Sequence, residues 1–265
     1  MKTACLRLPG VTLCALTLLA AMPAAERPAV TQTEWLGCQR LDFVVEGRPA
    51  LLIVPARPAP GKPWIWRTEW FGHFPQADLA LVARGWHVGY LNAADLYGAP
   101  RAMALFDAYY RHVTAAYGLS PKVVMEGFSR GGLYAFNFAA DYPDRVAALY
   151  LDAPVLDLHS WPGRKSPLWA ECLAAYGLTD AQMDTAKVSP LDRIEPVVRA
   201  GIPIFGVSGD ADEAVAYEAN LAVLEEKYHA AGGLIEVVVK PGGKHHPHSL
   251  ADPAPIVEFL LKHAH

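Results

Sequence analysis

The chain has 265 residues, of which 52% are hydrophobic and 19% charged, with a formal net charge of −4. That composition excludes disordered and collagen-like chains, because enough apolar side chain is present to build a core. Charge this close to balance also argues against nucleic acid or an anionic membrane as partner, since both select a basic face.

Residues 1–25 read as an export signal. Lys2 and Arg7 precede an apolar stretch over 8–21, and Ala24-Ala25 closes it with small residues, although Pro23 makes the cleavage site imperfect. The apolar run falls short of the ~20 residues that span a bilayer. The expected mature protein is therefore one domain over residues 26–265, secreted or periplasmic, with no stable membrane association after cleavage. Cys5 and Cys14 would leave with the signal. Cys38 and Cys172 remain, and an oxidising compartment permits a bridge between them without requiring one. Neither thiol is assigned a catalytic role.

Short strands are expected at residues 40–46 and 50–54, joined by a turn at Gly47. A third follows at 63–67 and a helix at 76–84, closed by Gly85. Next come a strand at 87–91, a helix at 103–117 ending at Gly118, a strand at 122–125, a helix at 130–142 and a strand at 146–151. No strand signal occurs between Asp152 and Ile202; helical patches at 168–176 and 191–199 mark an insertion over about 157–200. The pattern resumes with a strand at 202–207, a helix at 214–230, a strand at 235–239 and a helix at 256–262. Strands alternating with helices imply a mostly parallel sheet covered on both faces.

Gly127-Phe128-Ser129-Arg130-Gly131 sits between an expected strand and an expected helix. A G-x-S-x-G turn in that setting lifts the serine hydroxyl above the sheet, at a helix N-terminus that favours a developing anion. The Arg130 N–H is then one expected oxyanion donor. A serine needs a base and an orienting carboxylate. Two later strands run into suitable loops, one holding Asp210 and Asp212, the other holding His245, His246 and His248. A metal site is the rival reading of the His-rich loop; it is not adopted, because no cysteine or carboxylate accompanies it at ligand spacing and H-E-x-x-H is absent. No cofactor is expected.

With these motifs the chain resembles the α/β-hydrolase superfamily over nearly all of residues 36–265. The resemblance implies a three-layer α/β sandwich, with a twisted, mostly parallel sheet and a small helical insertion after the sixth strand. The family's acid loop, G-x-x-D-x-x-V, maps onto Gly209, Asp212 and Val215. This makes Asp212 the expected acid, with Asp210 second and Asp152 third. The family's histidine usually follows a glycine, but Lys244 stands there. Spacing from Gly242 selects His245, with His246 and His248 as alternatives. The resemblance places a second oxyanion donor in the loop 67–73, at Glu69 or Trp70. The usual His-Gly pair is replaced there by Arg67-Thr68.

Arg67, Arg130, Arg164, Lys165 and Lys244 all fall in expected site loops of a net acidic chain. Arg130 is a candidate clamp for a substrate carboxylate, or else forms an ion pair with Glu69 or Glu126. Arg67, Trp161 and Tyr97 are further candidates for substrate contact. The segments 64–73, 95–100, 126–132 and 245–250 resemble those of secreted bacterial α/β hydrolases that include carbohydrate esterases of the pectin type. That resemblance implies a methyl or acetyl ester of an anionic polysaccharide, or a small-molecule ester, as substrate. Two other readings stay open: a peptidase of the prolyl-oligopeptidase type, whose members usually carry a further large domain, and a non-catalytic binding protein with this fold. The oligomeric state is left open.

Overall fold

A computed structural model describes residues 30–264. Residues 1–25, the expected export signal, lie outside the described residues. The described residues form nine strands: β1 (Thr31–Trp35), β2 (Cys38–Val45), β3 (Arg48–Val54), β4 (Trp64–Arg67), β5 (His87–Leu91), β6 (Val123–Phe128), β7 (Val146–Asp152), β8 (Ile204–Gly209) and β9 (Ile235–Lys240). They make one sheet in the order β1-β2-β3-β5-β4-β6-β7-β8-β9. The first three strands form an antiparallel meander that joins β5 antiparallel. All remaining pairings are parallel.

The helices are α1 (Gln76–Val82), α2 (Pro100–Tyr117), α3 (Gly131–Asp141), α4 (Trp169–Tyr176), α5 (Asp180–Met183), α6 (Ile194–Arg199), α7 (Leu221–Ala230) and α8 (Ala254–His263). Two apolar cores result, one on each face of the sheet. The larger gathers Phe106 and Tyr109 of α2, Tyr134 and Phe138 of α3, Leu224 of α7 and Trp169 of α4. The smaller packs Leu81 of α1 and Val257 and Phe259 of α8 against Ile65, Val88 and Val124. The three-layer reading holds. The core helices begin where propensity allows: α2 opens with Pro100 at its first turn, where the missing N–H costs nothing, and stops at Gly118 in the left-handed region.

Two corrections concern the elements. β1 was not expected, so the helical insertion follows the seventh strand rather than the sixth. β1 is almost wholly exposed and shows no apolar face to read. The expected helix at 214–230 is shorter, running from Leu221, because Ala214 and Val215 spend their N–H groups on an aspartate described below. Cys38 and Cys172 are both free thiols. Cys38 packs against the smaller core and Cys172 lies within the larger, on the opposite face of the sheet. Burial pushes the Cys172 thiol up to about 12, so it is unreactive.

Candidate active site

Ser129 sits in the tight bend between β6 and α3 with φ of +50°, a left-handed conformation that non-glycine residues rarely adopt. The bend requires close backbone approach. A Cβ at Gly127 would lie 2.8 Å from the Gly131 carbonyl oxygen. The strain is held by hydrogen bonds: the Ser129 N–H donates to the Asp152 carbonyl at 2.9 Å, and the Ser129 carbonyl accepts from Val155 at 2.8 Å.

The last two crossovers deliver the partners. His245 lies with Nε2 3.0 Å from Ser129 Oγ and Nδ1 2.7 Å from Asp212 Oδ2. In the tautomer this arrangement selects, Nδ1–H donates to the carboxylate and Nε2 accepts from the hydroxyl. The other oxygen of Asp212 accepts from the N–H groups of Ala214 and Val215, both at 2.9 Å. Its side chain is fully buried, whereas that of His245 keeps 15% of its surface open. Asp210 has a different place. Its Oδ1 accepts from the Gly242 N–H at 2.6 Å, and Ala211 N–H donates to the Gly243 carbonyl, so it fastens the histidine loop to the acid loop. Of the two aspartates, Asp212 is the one within hydrogen-bond reach of His245.

His246 and His248 stand in the same cluster but not on Ser129. His248 is buried, and its Nδ1–H donates to Asp152 Oδ1 at 2.6 Å. Asp152 Oδ2 accepts from the Ser249 N–H at 2.8 Å. The pairing of these two residues was not anticipated, although Asp152 stood as the third candidate acid and His248 as an alternative base. His246 is exposed and stacks on Phe74 with ring centroids 5.9 Å apart.

The loop after β4 is tied to the bend by Thr68, whose Oγ1 lies 2.9 Å from the carbonyl oxygens of both Glu126 and Gly131. Trp70 takes φ of +55° and is 42% exposed. Among the described residues, the N–H groups of Arg130, Glu69 and Trp70 donate to no backbone carbonyl, which leaves them free to receive an oxyanion.

Four residues expected at the substrate do not line the cavity beside Ser129. Arg67 is buried: Nε donates to Asp78 Oδ2, one Nη to the His73 carbonyl and the other to Glu126 Oε1, each at 2.9 Å. Its guanidinium lies 4.3 Å from the centroid of Phe128. Burial works against that charge, but Asp78 and Glu126 outweigh it and strengthen the guanidinium's hold on its proton. Tyr97 is fully buried under Trp161, which packs against the larger core. Both face inward because the insertion folds back over that side of the sheet. Arg130 pairs with buried Glu69, Nε to Oε1 at 3.4 Å, between Trp70 and Tyr97. The ion-pair reading of Arg130 is the one the structure supports, and Glu69 likewise points to Arg130 rather than to substrate. Burial nevertheless raises the Glu69 carboxyl above its ordinary value. Arg164 is also spoken for, by Asp180 and Asp184.

The cavity is ≈ 220 Å³ and is lined by Trp70, His73, Phe74, Ser129, His245, His246 and His248. His73 and Phe74 were not expected there. They follow Trp70 in a loop whose direction depends on Arg67 gripping the His73 carbonyl.

A family model described as the alpha/beta hydrolase fold matches residues 49–181. The chain belongs to the α/β-hydrolase fold family. Solved structures agree on that fold. Dipeptidyl peptidase 4 of Porphyromonas gingivalis is similar at 14% identity and TM-score 0.64, over 89% of this chain and 36% of that one. The acylaminoacyl peptidase of Pyrococcus horikoshii is similar at 13% identity and TM-score 0.64, over 90% of this chain and 42% of that one. This α/β hydrolase thus spans less than half the length of either peptidase. A cold-adapted esterase from an Arctic intertidal metagenomic library is similar at 15% identity and TM-score 0.61, over 90% of this chain and 100% of that one. No curated protein matches the chain.

Proposed function

We propose that this α/β hydrolase is a serine carboxylic ester hydrolase. The observation that carries the reading is the continuous relay from Ser129 through His245 to Asp212, at 3.0 and 2.7 Å. In the proposed cycle Ser129 Oγ attacks the acyl carbon and passes its proton to His245 Nε2. The carbonyl oxygen becomes an anion, received by the N–H of Arg130 and that of Glu69 or Trp70. His245 then gives the proton to the departing alcohol, leaving an acyl group on Ser129. Water repeats the sequence and frees the acid. Asp212 holds the tautomer and offsets the charge on the imidazolium.

The cavity supports a small acyl group. Its ≈ 220 Å³ is below the ~300–1,000 Å³ common for ligand sites. Among the described residues its lining holds no carboxylate that would receive the ammonium end of a peptide, which weighs against a peptidase that grips a free N-terminus. An acetyl ester carried on a polysaccharide has an acyl group of that size; in a methyl ester of a uronic acid the sugar is the acyl group and only the leaving methanol is small. The basic residues expected in the site loops do not line the cavity, so the polysaccharide reading rests on the resemblance of segments alone. Export rests on residues 1–25, outside the described part of the chain.

The test compares p-nitrophenyl acetate, longer p-nitrophenyl esters and a dipeptide anilide, with released methanol and acetate scored on esterified polysaccharides. Fastest turnover on the shortest esters is expected. Preference for the anilide would move the assignment to a peptidase.

A further inference from the structure

The triad uses one imidazole, yet three converge. His245, His246 and His248 each place a ring nitrogen within 4.8 Å of the others. We infer that these three side chains form a binding site for a divalent transition-metal ion of the zinc type, and that an ion there shuts the triad off. The switching effect rests on the serine-hydrolase reading above; the binding does not.

Several independent features point to a metal. Two of the rings are already oriented as metal ligands are. His245 Nδ1–H donates to Asp212 and His248 Nδ1–H to Asp152. A carboxylate on one ring nitrogen fixes the tautomer, so the lone pair sits on Nε2 and the ring becomes a better donor. The third ring, His246, is exposed and makes no side-chain hydrogen bond among the described residues, so it can swing without breaking one. All three imidazoles border the same cavity, so an ion reaches them from solvent and keeps one coordination position towards the open space.

The fit needs modest closure. Tetrahedral zinc with Zn–N bonds of about 2.0–2.1 Å needs nitrogens about 3.4 Å apart. The widest separation, 4.8 Å, therefore closes by about 1.4 Å; a side-chain swing of exposed His246 shortens its own two distances, and small shifts of the carboxylate-held rings supply the rest. Imidazole donors suit zinc and copper better than calcium or magnesium, which prefer oxygen.

The consequence for chemistry is direct competition. His245 Nε2 has one lone pair, which accepts the Ser129 hydroxyl at 3.0 Å. Once that pair is donated to a metal ion, it cannot take the serine proton. The ion is thus not a cofactor of the proposed reaction but an occluding ligand.

The experiment uses the full chain without a polyhistidine tag. Ser129→Ala is titrated with zinc chloride by calorimetry, beside Ser129→Ala/His246→Ala and Ser129→Ala/Asp152→Asn. One tight ion per chain is expected in Ser129→Ala. Affinity should fall by more than about tenfold without His246, and by about tenfold with Asp152→Asn. His246 is exposed, so its removal does not threaten the fold, and matching circular dichroism melts verify that. In the wild type, zinc should inhibit ester hydrolysis with the same midpoint as binding, and EDTA should restore it. Absence of saturable binding, or equal affinity without His246, would overturn the site. Binding without inhibition would overturn the switch. Hydrolysis by Ser129→Ala itself would instead count against the triad and leave the calorimetric result standing.

Discussion

Two aspartate–histidine pairs stand side by side at the carboxyl edge of the sheet, and they differ in what lies beyond the imidazole. Asp212–His245 ends on Ser129 Oγ, with the His245 side chain partly open to the cavity. Asp152–His248 is equally short and more deeply buried, with side-chain exposures of 0% and 4%. Its carboxylate is also gripped by Ser249 N–H, and the pair braces the loop that presents His245. The same chemical couple therefore serves activation in one place and support in the other. Position relative to a reactive oxygen, rather than the pair itself, decides which.

The largest effect should come from the nucleophile. Ser129→Ala is expected to cut kcat for p-nitrophenyl acetate on the order of 10⁴-fold or more, with the melting temperature little changed. Next come the two histidines, which test the comparison head-on. His245→Ala should lose activity nearly as far as Ser129→Ala with a modest change in stability. His248→Ala should do the reverse, because it removes the Nδ1–H donor from the buried Asp152 carboxylate at a cost of about 2 kcal/mol. Paired kinetics and urea melts on the two variants read this out; a larger kcat loss from His248→Ala would exchange their roles.

A smaller effect concerns the cluster under the bend. Arg67 faces both Asp78 and Glu126, and each carboxylate keeps one buried oxygen without a partner. A proton on Glu126 shared with Asp78 satisfies both oxygens. Burial first, then the nearby negative charges, push the Glu126 carboxyl well above its ordinary 4.5, against the pull of Arg67. A carboxyl raised in the folded state binds its proton more tightly than in the unfolded chain. Its contribution is therefore complete below 4.5 and lost as pH rises through the folded value. Glu126→Gln, which donates permanently, should show no such loss. Its melting temperature relative to wild type should climb from mildly acidic to alkaline buffer; a constant difference would mean that Glu126 carries no proton.

The smallest effect is expected at Arg130. Because Glu69 engages it, Arg130→Gln should change KM for anionic and neutral esters by the same factor. A selective loss on anionic esters would restore the carboxylate clamp.

What the sequence could convey follows the range of the interactions. The alternation of strands and helices is local, and so is the Gly-flanked bend around Ser129. The loops with Asp212 and His245 lie beside strand ends that were legible as apolar runs. Side-chain direction was not legible. Arg67 is the last residue of β4, and its burial depends on Asp78 and Glu126 arriving from two other elements. Tyr97 turns inward because the insertion covers it, and nothing near Tyr97 in the chain announces that. The His248–Asp152 pair joins residues 96 positions apart. β1 escaped notice for the opposite reason: an exposed edge strand has no buried face to impose a period.

The central claim is that the Ser129 oxygen is made nucleophilic by His245. The most direct measurement is labelling of the intact protein by a fluorophosphonate, followed by mass mapping of the peptides, in wild type and His245→Ala. The account predicts one adduct per chain, on Ser129, formed far more slowly in the variant. An adduct on another residue, or equal labelling rates in the two proteins, would contradict it.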